Sequence, residues 1–177
     1  SVAPHMKNYP LLTKSFVEHF ITQDLSDKVL LEFGSGKSTI FWSSYFDKIY
    51  SYESNINWFN EIKKHLKKNV ELVLVNDKNI LQSMELVIHI KKSDYIIIDN
   101  DSKPISRFEY ARFVLHHKKE DSQIILDNGT WQLSAYKFLQ DNFFCRDFPG
   151  TNMEDQDTVT TLFFERKTKK YNYKEHL

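Results

Sequence analysis

Two groups of residues in this 177-residue chain have the types and spacing to do chemistry. The first is Glu32-Phe33-Gly34-Ser35-Gly36-Lys37-Ser38-Thr39, a glycine pair preceded by a carboxylate and followed by a lysine and two hydroxyls. Its end, Gly36-Lys37-Ser38, looks like a phosphate-binding loop. That motif needs a further glycine at the far end of a longer loop, so that backbone N–H groups wrap the phosphates. Leu31 stands there, and the loop is too short to wrap anything. A dinucleotide fingerprint fits in part: Gly34 and Gly36 match, while Thr39 takes the third glycine position. Glu53 is an acid placed to take both hydroxyls of a ribose. Glu32 would repel a pyrophosphate and suits a positively charged ligand. The second group is Asp99 with Asp127 and Asn128, hard oxygen donors suited to Mg²⁺ or Ca²⁺.

For these residues to meet, the elements that carry them must end at one edge. Apolar runs predict strands over Lys28–Phe33, Lys48–Glu53, Glu71–Val75, Asp94–Asp99 and Ser122–Leu126. Helices are expected over Leu11–Thr22, Lys37–Phe46, Asn55–Lys68, Ile80–Lys91, Ile105–His117 and Trp131–Gln140. Phe143–Phe148 and Thr158–Glu165 are two more strands with no room for a helix between them, so they pair as an antiparallel hairpin. The alternation predicts an α/β fold: a doubly wound, mostly parallel seven-stranded sheet with helices on both faces and an antiparallel C-terminal strand. Ligands of such sheets bind beyond the carboxyl ends of the strands. Glu32, Glu53, Asp99 and Asp127 all fall at or near such ends, and adjacent strand ends lie about 5 Å apart.

Within that frame the sequence resembles the class I S-adenosylmethionine-dependent methyltransferases. Val29-Leu30-Leu31-Glu32-Phe33-Gly34-Ser35-Gly36 is similar to their first motif, an acid followed by Gly-x-Gly, and Tyr50-Ser51-Tyr52-Glu53 to their second strand with its ribose-binding acid. Val73-Leu74-Val75-Asn76-Asp77 occupies the segment that lines the adenine in that family. The resemblance spans residues 25–166 and implies S-adenosylmethionine as cofactor, held by Glu32, Gly34, Gly36, Ser38, Thr39, Glu53, Asn76, Asp77 and Asp99.

Ile98-Asp99-Asn100-Asp101-Ser102-Lys103 and Leu126-Asp127-Asn128-Gly129-Thr130-Trp131 are further similar to the cation-dependent catechol- and caffeoyl-type O-methyltransferases. That resemblance implies a metal held by Asp99, Asp127 and Asn128, which would bind the acceptor hydroxyl and lower its pKa. It also offers Lys103 as the base, one residue later than the family's lysine, where Ser102 stands. Two metal-free readings stand beside it: Asp99 orients the substrate directly, and Asp127-Asn128-Gly129 makes a turn. The expected reaction is methyl transfer to an oxygen, or to a nitrogen, of a small molecule.

Several classes drop out. Lys+Arg and Asp+Glu both number 24, so no bulk charge draws the chain to nucleic acid or an anionic membrane. One cysteine, Cys145, excludes an internal disulfide and multi-cysteine metal sites and fits a reducing cytoplasm. No run reaches membrane-spanning length. Residues 1–5 read as an expression scar and 6–177 as a single domain. Arg107 and Arg112 are placed to pair with Asp99, Asp101 or a substrate carboxylate, or simply to lie on a helix surface. Glu154, Asp155, Asp157 and Met153 sit on the loop expected to emerge at the cofactor face, and Trp131 either walls the pocket or fills the core. His116 and His117 suit a helix C-terminus, and the basic tail Arg166–Lys174 reads as solvated. Specificity falls to short loops, the leading helix or a second copy of the chain in a homodimer. The rival functions are a phosphate-loop nucleotide hydrolase, a dinucleotide-dependent oxidoreductase and a non-catalytic binder of the same cofactor.

Overall fold

A computed structural model of the protein describes residues 8–168, so the opening scar and the tail beyond Thr168 lie outside the described residues. Seven strands form one sheet: β1 (Val29–Phe33), β2 (Lys48–Glu53), β3 (Val70–Leu74), β4 (Tyr95–Ile98), β5 (Gln123–Asp127), β6 (Phe143–Thr151) and β7 (Asp157–Arg166). Their spatial order is β3-β2-β1-β4-β5-β7-β6. The first five run parallel, and β7 lies antiparallel between β5 and β6. The doubly wound sheet expected from the apolar runs is thus present, with the hairpin turned so that its second strand pairs with the parallel core.

Alternation along the strands splits the core in two. Leu31, Phe33, Ile96, Ile98, Ile124 and Leu126 face α4 (Met84–Lys92), α5 (Arg107–His117) and α6 (Leu133–Asn142). Leu30, Ile97 and Ile125 face α1 (Lys14–Phe20) and α2 (Lys37–Trp42). Both faces of each central strand are buried, which is why these strands read as unbroken apolar runs. No helix among the described residues is long and apolar enough to cross a membrane.

The first five helices are shorter than the apolar pattern suggests, and α6 is shifted two residues on. Side-chain caps mark the starts of α1, α3 (Ile56–Lys63), α4 and α5. Thr13 caps α1 by accepting from the Phe16 N–H, so Leu11 and Leu12 fall outside it. Ser83 caps α4 and divides the expected Ile80–Lys91 helix into a 3₁₀ turn, Lys78–Gln82, and a true helix. α3 starts at the Asn55 cap and stops before Leu66, the last residue of its expected apolar stripe. There the Asn69 Nδ2 donates to the Ser43 and Phe46 carbonyls and fixes the entry to β3. Ser106 and Glu109 form a capping box on α5, each side chain bonding the other's backbone N–H.

Candidate functional site

The carboxyl ends of β1, β2, β4 and β5 open onto a cleft of about 500 Å³, within the range of small-molecule sites. Its floor is the turn after β1. Gly34 has φ +94°, and a Cβ there would lie 2.5 Å from the Asp99 carbonyl oxygen. Only glycine brings the β1 turn this close to the end of β4. Gly36 is free of backbone neighbours; a Cβ would meet the Trp58 ring at 3.4 Å.

Glu53, at the end of β2, lines the cleft and is held by two backbone donors: Ser35 N–H at 3.0 Å and Asn55 N–H at 2.8 Å. Each oxygen uses one acceptor direction and keeps another for a ligand hydroxyl. Trp58 closes this side, its indole N–H donating to the Ser35 carbonyl at 2.6 Å. The sequence signal for Trp58 is an aromatic in the first turn of the helix that follows the acid-ended strand.

Glu32 lies elsewhere than the resemblance implies. Alternation turns it to the α2 side of the sheet with Leu30, and it is buried beneath the glycine turn rather than in the cleft wall. Its carboxylate accepts from the Thr39 hydroxyl, from Ser51 Oγ at 2.8 Å and from Ser38 Oγ at 3.2 Å. Burial outweighs these bonds and raises its pKa to about 7. Thr39 also takes the Gly36 N–H at 2.9 Å, so both Glu32 and Thr39 shape the turn from below. Ser38 lines the cleft. Of the adenine segment, Val75 lines the cleft, whereas Asn76 and Asp77 are exposed and do not line it, Asp77 capping the 3₁₀ turn.

Asp99, Asp127 and Asn128 do converge, all three at the cleft. Between them sits a cation of the chain itself, Arg107, the first residue of α5. Its Nε donates to the Asn100 carbonyl at 2.8 Å, and its Nη1 to the Asp127 carbonyl at 2.7 Å and Asn128 Oδ1 at 3.2 Å. Its Nη2 lies 3.5 Å from Asp99 Oδ1. Asp127 Oδ1 is taken by the Thr160 hydroxyl at 2.8 Å, and Asn128 Nδ2 donates to Thr158 Oγ1 at 3.0 Å. This donor set does not fit a divalent ion: Asn128 Oδ1 and Asp99 Oδ1 already face the Arg107 guanidinium, and Asp127 Oδ1 accepts from the Thr160 hydroxyl. Burial and the mutual repulsion of the two acids raise the pKa of Asp99; burial raises that of Asp127, and Arg107 opposes both shifts. Asn128 also makes the turn foreseen as the alternative: φ is +57°, and its carbonyl accepts from Trp131 N–H at 2.9 Å.

Lys103 lines the cleft with Asp101, and Trp131 lies exposed at its rim rather than in the core. The loop between β6 and β7 reaches the same cleft through Asn152, Glu154 and Gln156, while Asp155, Asp157 and Met153 do not line it. Arg112 is away from the cleft, beside the Phe108 ring. Asn100 is buried at the cleft with its Oδ1 lacking a hydrogen-bond partner. Among the described residues, one further group could face a cation: Glu71, Glu85 and His89, whose ligand atoms lie within 4.8 Å of one another outside the cleft.

No protein-family model matches the sequence, and no curated protein is similar to it by sequence. Solved structures do match. An O-methyltransferase from Bacillus cereus in complex with SAH has a TM-score of 0.69 at 16% identity, covering 93% of this chain and 83% of that one. A precorrin-6y C5,15-methyltransferase from Geobacter metallireducens has a TM-score of 0.64 at 18% identity, covering 92% and 98%. A methyltransferase of mycinamycin biosynthesis, in complex with Mg and SAH, has a TM-score of 0.57 at 16% identity, covering 85% of this chain and 46% of that one. At these identities the likeness is one of architecture: with its strand order and antiparallel β7, the chain has the fold of the class I S-adenosylmethionine-dependent methyltransferases.

Proposed function

We propose that the protein is an S-adenosylmethionine-dependent methyltransferase acting on an oxygen of a small molecule, with the chain from residue 6 working as a single domain. The observation that carries this reading is the Glu53 carboxylate, aimed by two backbone N–H groups at the cleft beside the Gly34 turn. A ribose diol fits its remaining acceptor directions. Gly34, Ser35 and Gly36 leave the turn open to the rest of the donor, and Ser38 and Val75 line the same cleft. A phosphate-loop hydrolase is disfavoured: the carboxylates of Glu53 and Asp99 face the space a triphosphate would need.

When bound, S-adenosylmethionine supplies a methyl group on a positively charged sulfur. The residues of the chain do the rest by placement. Trp58 and Trp131 border the cleft, and Asp99, Asp101 and Lys103 line it, the last three being the groups that would meet an acceptor. Transfer of that methyl group to an acceptor oxygen would release the acceptor's proton, and Asp99, a carboxylate lining the cleft, would take it up.

Calorimetric titration with S-adenosylhomocysteine, ATP and NAD in turn tests the reading. We expect the first alone to bind, and Glu53→Ala to weaken it by about 1.5–3 kcal/mol, the scale of a hydrogen bond to a charged group. Binding of ATP or NAD without S-adenosylhomocysteine would overturn it.

A further inference from the structure

We infer that Arg107 is a built-in replacement for a divalent cation in the acceptor half of the cleft: its guanidinium ties the Asp99 carboxylate, the Asp127 main-chain carbonyl and the Asn128 side-chain amide together and presents one N–H to a single acceptor oxygen.

The seat is defined by what already fills it. Three oxygen-bearing side chains at adjacent strand ends invite a positive charge, and the chain provides one from the first turn of α5. Arg107 is 8% exposed, and two of its bonds go to main-chain carbonyls, those of Asn100 and Asp127. Those bonds do not depend on the carboxylates, so neutralising an acid would not free the side chain to swing away. Mg²⁺ needs near-octahedral oxygen ligands at about 2.0–2.1 Å. Here Asn128 Oδ1 faces Nη1 and Asp127 Oδ1 faces Thr160, and a second cation would sit against a buried guanidinium.

The substitution changes what the site can recognise. A metal with open positions can take two neighbouring oxygens of one acceptor, whereas Arg107 has little left to give. Its Nε and Nη1 donors are spent on Asn100, Asp127 and Asn128, and Nη2 alone, 3.5 Å from Asp99, retains an N–H for a ligand. The acceptor class is therefore a small molecule that presents one hydroxyl or carboxylate oxygen, with no requirement for a vicinal pair. This acceptor half rests on the methyl-transfer reading; the occupied cation seat does not.

Electron paramagnetic resonance of Mn²⁺ added to the full chain tests the seat. The Asp127→Asn variant separates it from the Glu71, Glu85 and His89 group. Wild type should show no Mn²⁺ binding that Asp127→Asn removes. Arg107→Ala should bind Mn²⁺ roughly tenfold more tightly than wild type, or better, as a vacated carboxylate pair would. Adding Asp127→Asn to that variant should abolish the gain. Mn²⁺ bound by wild type and lost in Asp127→Asn would overturn the inference, as would a folded Arg107→Ala that gains nothing. Should the alanine variant not fold, Arg107→Gln, closer in size, takes its place. S-adenosylhomocysteine calorimetry on the same samples keeps the two readings apart: absence of that binding in wild type overturns the methyl-transfer function and leaves the seat intact.

Discussion

Glu32 shows how one position in a strand decides a residue's role. As a carboxylate before a glycine turn it reads as a ligand for a cation, but the pleat sends it to the opposite face from Leu31 and Phe33. Once there, it is a buried acid whose pKa rises from 4.5 to about 7. A carboxyl that holds its proton more tightly when folded favours the folded state at low pH. That contribution is complete below about pH 4.5 and is lost as the pH climbs through about 7. Denaturant titrations should therefore show wild-type stability, measured relative to Glu32→Gln, falling by on the order of 2–3 kcal/mol between about pH 4.5 and pH 8. A difference that stays flat would mean that hydroxyl donors, not burial, govern this group. Arg107 is the complementary case: a helix arginine by its neighbours in sequence, a buried cation by its contacts.

At the scale of elements, α5 is the piece whose start must be placed with least tolerance, because Arg107 is its first residue. The Ser106–Glu109 capping box sets that start: Glu109 N–H donates to Ser106 Oγ at 3.1 Å, and Ser106 N–H to Glu109 Oε2 at 2.8 Å. Ser106→Ala should lower stability by about 1 kcal/mol, read as a shift in the denaturation midpoint. A shift within error would show that packing of Tyr110, Ala111 and Val114 alone fixes the helix. The same signal was legible in Ser106-x-x-Glu109, and it explains why α5 begins after Ile105 rather than at it. Glu53 and Asn55 do similar work at the end of β2, ordering the turn that presents the cleft's acid.

For the whole molecule, stability and the cleft are separable. Phe20 is fully buried on the face opposite α4, α5 and α6, with ring centroids 5.0 Å from Phe16, 4.9 Å from Tyr95 and 5.4 Å from Trp42. None of these residues lines the cleft. Phe20→Ala should cost about 3–5 kcal/mol of folding stability by the cavity it leaves. Affinity for S-adenosylhomocysteine, measured below the unfolding transition, should remain unchanged. A parallel loss of affinity would tie α1 to the binding state of the cleft.

What the sequence by itself determined was the order of strands and helices and the sheet edge where the candidate residues gather. Buried parallel strands need apolar residues on both faces, and glycine turns and strand-end acids leave signatures in a few adjacent residues. The places of Glu53, Gly34 and Asp127-Asn128 at that edge were legible for that reason. Tertiary structure alone decided that Glu32 supports the turn from below, that Asn76 and Asp77 do not line the cleft, and that Arg107 sits among Asp99, Asp127 and Asn128. Each of those outcomes depends on pleat phase or on the reach of a long side chain across strands distant in sequence. Local spacing carries no record of such contacts; the packing of β1, β4 and β5 beneath α2 and α5 creates them.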